Sequence, residues 1–271
     1  MMSSGVTPVL DKSIQPAQTK TWALQGSTLI RIASLLLLLA LWQVSVWCFE
    51  AQMLPSPVAV INALIKHMGS NELPYHLGVT LQRVMFSFFI AMLLGSIIGL
   101  LMGYFKKVDI WLDSLLTLAL NIPALVTIIL CFMWFGLNEF SAVLAVILNK
   151  APNVAVTLRE GAKAIDKSLM EVAKVYQLPW QRTLTKVYLP QLYPYFLAAA
   201  RTGLALVWKI VLVVELVGCS NGVGFQLGNF FQFFDITSIL AYTFAFAAII
   251  YTVEGLILRP WERKVTRWRK C

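Results

Sequence analysis

The sequence predicts an all-α polytopic membrane protein of six transmembrane helices, on three observations. Hydrophobic residues fill 59% of the 271 positions and charged residues only 13%, against about 45–50% and about 25% in soluble domains. Val84–Phe105 and Leu115–Phe135 run without a charge, and Leu29–Phe49 carries only Arg31 near its inner edge; each is long enough for the roughly 20 residues that cross a ~30 Å hydrocarbon layer. The basic residues fall in alternate connecting segments, the bias of short cytoplasmic loops. So few charges cannot wet the surface of a soluble globule, which argues against a disordered chain, a nucleic-acid-binding domain and an ordinary cytosolic enzyme. The net charge of +9 then reads as basic inner loops, not as a nucleic-acid surface.

Residues 1–28, with Ser3, Ser4, Pro8, Pro16, Thr19 and Thr21 and few apolar side chains, read as a disordered cytoplasmic tail. No small-residue cleavage pattern follows the first apolar run, so that helix is expected to be retained. An outer loop then holds His67 and His76, away from any carboxylate or thiol cluster, and no metal site is expected there. In the second span Gly95, Gly99 and Gly103 recur every fourth residue, a small-residue stripe for close helix packing. Asn121-Ile122-Pro123 interrupts the third span, because proline lacks a backbone donor. Such a break is tolerated at membrane depth only where protein or a water-filled cavity covers it, so this span is expected to face the bundle interior, with a plain kink as the alternative.

The fourth span, Ser141–Leu158, is weak, being interrupted by Lys150 and Pro152. It is kept because without it seven cations, Lys150, Arg159, Lys163, Lys167, Lys174, Arg182 and Lys186, would lie outside. With six spans and both ends inside, seventeen basic residues, these seven included, become cytoplasmic. The fifth span, Leu192–Val217, carries Arg201 and Lys209 on one face and Glu215 on another. Ionisable groups within a membrane usually face a cavity or one another, so the two cations read either as a stripe for an anionic solute or as snorkelling and locally paired groups. Gly218, Gly222, Gly224 and Gly228 in the next outer loop suit turns or, alternatively, a gate lining. Ile239–Leu258 is the sixth span, with Glu254 as its one charge, and residues 261–271 form a basic cytoplasmic tail. The transmembrane domain is thus 29–260.

The chain has no Gly-rich loop ending in Gly-Lys-Ser/Thr, no dinucleotide fingerprint, no zinc-protease helix and no nucleophile elbow. Nothing in it points to catalysis or to a bound cofactor. Cys48, Cys131, Cys219 and Cys271 lack pairing or metal spacing. The inner loop of about 159–190 is instead conspicuously long. Within it Ile165, Leu169, Val172 and Tyr176 recur at helical spacing. Ser168 to Glu171 fits a capping box, and Leu178-Pro179 is expected to end the helix. A second short segment runs from Trp180 to Leu189-Pro190. Two short amphipathic helices of this kind rest on lipid headgroups or fit a groove on a soluble partner.

At this loop the sequence resembles the permease subunits of bacterial ATP-binding cassette importers. Their signature is Glu-Ala-Ala, three residues, Gly, nine residues, Ile, one residue, Leu-Pro. Here it reads Glu171-Val172-Ala173, Gln177, Val187 and Leu189-Pro190 with the spacing intact, Val172 standing for an alanine and Gln177 for the glycine. Leu54-Pro55-Ser56-Pro57, Asn121-Ile122-Pro123, Trp134-Phe135-Gly136 and Gly222-Val223-Gly224 look like the sulfonate, nitrate and taurine branch. The resemblance implies the type I importer permease fold in a bacterial inner membrane, with two copies of the chain forming the pore. It implies a periplasmic binding protein that delivers the solute and an ATPase subunit that carries the ATP and Mg. Glu171, Val172, Ala173, Gln177, Leu178, Val187, Leu189 and Pro190 would dock that ATPase, and Pro123, Arg201, Lys209 and Glu215 are candidates for the translocation pathway. A secondary transporter using Glu215, Glu254 or Asp113 as its ion site, and a non-transporting membrane scaffold, are the alternative readings.

Overall fold

The computed structural model describes residues 19–49 and 54–258, and every regular element among them is helical. The chain divides into two units, Met1–Pro57 and Val58–Cys271. The first contains α1 (Thr19–Phe49), which holds the expected first span but begins at Thr19 where the reading of the sequence placed the tail. Within it Leu36–Cys48 is a shorter apolar stretch, and the Trp42 indole donates to the Pro55 carbonyl at 3.2 Å. The rest of the expected N-terminal tail and the basic tail 261–271 lie outside the described residues.

The second unit opens with α2 (Pro57–Gly69) and α3 (Glu72–Tyr104). These replace most of the expected outer loop, because Leu73, His76, Leu77, Thr80, Arg83 and Val84 continue the helical periodicity of the second span and are all buried. Their polar members hid that continuity from hydropathy. The expected third span is two helices, α4 (Lys106–Asn121) and α5 (Ala124–Phe135), meeting at 98°. Pro123 lacks the donor that would continue α4 and pushes Ile122 to φ −71°, ψ 125°. The Asn121 amide donates back to the Thr117 carbonyl at 2.7 Å, and the Pro123 carbonyl accepts the Val126 and Thr127 amides of α5. Asn121, Ile122 and Pro123 are exposed on the single chain and do not face its interior.

Next comes α6 (Glu139–Lys163), capped by Asn138, whose side chain accepts from the Ser141 amide at 2.9 Å. It carries Pro152 without ending, as membrane helices can when neighbours cover the freed groups. Lys150, assigned from the sequence to an inner loop, lies halfway along α6 and is 1% exposed. After α7 (Lys167–Val175) the chain rises again through α8 (Trp180–Thr183), a π turn at Leu184–Tyr188 and α9 (Leu189–Gly218). The expected stop at Leu189-Pro190 does not occur. The π turn, with the Leu189 amide bonded to the Leu184 carbonyl, spreads the turn where the proline ring would otherwise meet the carbonyl four residues back. Trp180–Gly218 is therefore one 39-residue run. A short helix, α10 (Val223–Gln232), occupies the expected last outer loop, and α11 (Ile236–Val253) ends in a second π turn, Glu254–Leu258.

Among the described residues four helical runs are long and apolar enough to cross a membrane, Glu72–Tyr104, Glu139–Lys163, Trp180–Gly218 and Ile236–Leu256, and the bent α4–α5 pair makes up to five. The main core joins α3, α5, α6, α9 and α11 through residues such as Val84, Ile128, Val146, Val207, Trp208 and Tyr242. The glycine stripe sets the α3–α6 contact, as read from the sequence. A Cβ added at Gly95 would lie 2.6 Å from the Ala151 carbonyl oxygen, and at Gly99 and Gly103 it would collide with Ala155 and Ala162. Replacing Gly99 by leucine is expected to wedge the pair apart and cost about 1–3 kcal/mol, measured as a lower unfolding midpoint in detergent.

Candidate functional site

The loop after α6 is a built element. Asp166 caps α7, and its carboxylate accepts the Ser168 amide at 2.8 Å and the Ser168 hydroxyl. These two bonds hold the Asp166 carboxyl below the usual carboxylate range, the hydroxyl contributing most. The expected Ser168–Glu171 capping box is thus displaced by two residues, since a carboxylate is a stronger acceptor for a helix N-terminus than a serine hydroxyl. Glu171 is left exposed, with no hydrogen bond or ion pair among the described residues. The Asp166 amide donates to the Gln191 side chain of α9 at 2.8 Å, and Gln191 donates to the Val187 carbonyl at 3.0 Å. The start of α7 is thereby tied to the base of the long run.

At its other end α7 stops before Leu178-Pro179. The Leu178 amide bonds to the Ala173 carbonyl and the Gln177 amide to the Lys174 carbonyl, each at 3.0 Å, and Gln177 sits at φ +49°. This is the paired bonding of a helix stop that usually employs glycine. Gln177 therefore makes the turn of the signature glycine, with a Cβ in the left-handed region. Ala173 is the one buried residue of α7, while Leu169, Val172, Val175, Tyr176 and Trp180 are exposed. An apolar face is thus held rigidly and left uncovered. Val187 is half-buried, and Leu189 and Pro190 are exposed at the foot of α9.

A second cluster, missed by the reading of the sequence, lies where α3 begins and α9 ends. Arg83 and Glu215 are 3% and 0% exposed and are joined by an ion pair from Arg83 Nη1 to Glu215 Oε1. Arg83 also grips Glu139 of α6 with two donors, at 2.5 and 3.0 Å, and donates to the Asn221 side chain at 2.8 Å. Glu215 Oε2 accepts from the Thr80 hydroxyl and the Gly224 amide, both at 2.9 Å. Thr80 in turn accepts the Val223 amide at 2.8 Å, and His76 Nδ1 accepts the Gly222 amide at 3.0 Å. Gly222, at φ +104°, and Gly224 press so closely on Glu215 and Leu212 that neither has room for a side chain. Gly222 makes the bend expected of it, and with Gly224 it also forms the contact surface of a buried carboxylate. The histidines also differ from expectation: both sit on helices, and His67 pairs with Glu72 at 3.2 Å. The signal available in the sequence was Thr80 and Arg83 at helical spacing in an apolar run, matched by Glu215 at the same end of another.

Beside this cluster is a cleft of about 520 Å³ lined by Arg83, Glu139, Asn221, Phe86, Phe140 and Val143 among others. Of the remaining predicted pathway residues, Arg201 and Lys209 are exposed on α9 and Pro123 is exposed at the α4–α5 break. Asp113 is engaged with Arg159 at 2.7 Å, and Asp109 with Arg159 and Lys163 at 2.5 and 2.9 Å, tying α4 to the end of α6. Two outcomes follow from this geometry. Replacing Glu215 by alanine removes one of the two carboxylates that hold the buried Arg83 and leaves the Gly224 amide without its acceptor, and is expected to cost about 3 kcal/mol, seen as loss of folded protein or a much lower midpoint. Replacing Gln177 by glycine relieves the left-handed strain and is expected to stabilise the turn by about 1 kcal/mol, read as slower amide exchange at residues 175–179.

Residues 91–263 match the sequence profile of the binding-protein-dependent transport system inner membrane component. A Bacillus subtilis protein named as an aliphatic sulfonates transport permease is 31% identical over 234 residues, covering 86% of this chain and 84% of its own length. The taurine transport system permease of Escherichia coli is 28% identical over 254 residues, covering 91% and 92%. The fold is similar to a chain of the inward-facing methionine ABC transporter MetNI, with a TM-score of 0.61 at 16% identity over 69% of this chain and 93% of that one. The helical bundle and the signature loop that follows α6 are in keeping with these likenesses, and the chain belongs to the binding-protein-dependent transport system inner membrane component family.

Proposed function

We propose that the chain is the permease subunit of an ATP-binding cassette importer for a small solute, sulfonate-, nitrate- or taurine-like or related. Two copies form the pore in the inner membrane, with both termini cytoplasmic and lipid around them. A periplasmic binding protein delivers the solute, and a separate ATPase subunit binds ATP and Mg and performs the hydrolysis. The observation that carries this reading is α7: a short helix pinned at both ends, with an uncovered apolar face and a free carboxylate. Such a face suits a groove on a soluble partner.

In this proposal Glu171 pairs with basic groups of the ATPase, and Val172 and Leu178 fill its groove. Ala173 keeps α7 close to its own base and Gln177 sets the turn, while Val187, Leu189 and Pro190 brace the foot of α9. The exposed break at Pro123 supports a contact with the second copy or with the pore, because backbone opened at membrane depth must be covered by protein or water. Arg201 and Lys209 line the pathway, and Glu215, saturated by Arg83, Thr80 and Gly224, holds its outer end rigid. Engagement of Glu215 and Asp113 in ion pairs disfavours their use as ion sites of a gradient-driven transporter.

The test is co-purification from native membranes with an assay of ATP hydrolysis. Glu171→Gln removes a charge-assisted bond worth about 1.5–3 kcal/mol and is expected to weaken ATPase assembly roughly tenfold or more, with uptake falling alongside. Assembly and uptake both at wild-type levels would refute the docking role.

A further inference from the structure

The Arg83 cluster pairs its charges; Lys150 does not. Its side chain lies halfway along α6 and is 1% exposed, yet no described residue offers it a hydrogen bond or a carboxylate. An ammonium in that position is costly, and intramembrane ionisable groups mark solute or ion routes. The surrounding packing makes room for it. A Cβ at Gly203 of α9 would lie 2.8 Å from Lys150 Cε and 3.3 Å from Nζ, with the Phe88 ring of α3 at 3.4 Å. Three helices thus converge on the ammonium at their midpoints, and one of them gives up a side chain to admit it. On α3, the Ser87 hydroxyl next to Phe88 is likewise buried and without a hydrogen-bond partner. Lys150 also lies eleven residues beyond Glu139, close to three full turns and about 16 Å along α6. It therefore shares the helix face whose earlier residues, Glu139 and Val143, line the 520 Å³ cleft.

We propose that Lys150 is the binding group of a mid-membrane site for a small oxyanion, closed between α3, α6 and α9 in this conformation and reached from the cleft when the helices part. The proposal rests on the transport reading for the passage of a solute and adds the group that receives its charge. An oxyanion supplies the negative charge that no described neighbour provides, and its oxygens accept the ammonium donors.

Thermal unfolding of the detergent-solubilised assembly is followed in millimolar sodium ethanesulfonate, taurine or nitrate, against sodium chloride at equal ionic strength. At least one oxyanion is expected to raise the wild-type midpoint by about 2 °C or more over chloride. Lys150→Arg retains part of that shift, and Lys150→Met loses it while unfolding no earlier than wild type in chloride. Gly203→Ala, which crowds the ammonium and keeps the charge, is expected to reduce the shift and stands in should Lys150→Met fail to fold. A shift undiminished in Lys150→Met or Gly203→Ala, or a wild type indifferent to all three oxyanions, overturns the proposal. The same preparations are assayed for ATP hydrolysis: an anion shift without any ATPase would refute the importer reading and leave the Lys150 site standing.

Discussion

The contact on which one end of the bundle depends is the ion pair between Arg83 and Glu215. Each group alone would be prohibitive away from water, and together they are tolerable only because every remaining donor and acceptor is also met. Glu139 and Asn221 take the rest of the guanidinium, and Thr80 and Gly224 take the rest of the carboxylate. Meeting these requirements fixes four separate stretches of chain at once: the start of α3, the start of α6, the end of α9 and the turn into α10. The two glycines that approach Glu215 follow from the same requirement, since any side chain there would part the pair.

The contact between α3 and α6 farther along is organised differently, by shape. Gly95, Gly99 and Gly103 let α3 and α6 touch along their backbones, and lipid tails offer no hydrophobic drive to replace such contact. Between these two regimes sits Lys150, held neither by charge nor by complementary packing alone. At the far end Asp109 and Asp113 bind Arg159 and Lys163, so that the amphipathic α4 follows the foot of α6 even though Pro123 has separated it from α5.

Much of this was legible in the sequence. The charge-free run Val84–Phe105 located one long apolar helix, and the glycine stripe declared its packing role, because both depend on local spacing. What escaped depended on partners distant along the chain. Arg83 read as a border residue, since nothing near it in sequence announces Glu215, 132 positions away. Lys150 was counted with a loop because its own side chain depressed the hydropathy of the span that buries it. The cap of α7 was misplaced by two residues because Ser168 and Asp166 both satisfy the local rule, and only the fold shows which oxygen receives the amide. Proline was over-read at Pro190, where a π turn absorbs it, and rightly read as a break at Pro123, though the break does not face the interior of the single chain.

That π turn has a mechanical consequence. Had the chain stopped at Leu189-Pro190, the segment carrying the signature residues would hang from a hinge, and movement there would dissipate in the joint. Instead Trp180–Gly218 is one rod of 39 residues, about 58 Å long, with Trp180 at one tip and Glu215 near the other. A tilt of roughly 10° about its middle would carry each tip through about 5 Å. Such a tilt would move the Trp180 end and the Glu215 end by similar amounts in opposite directions.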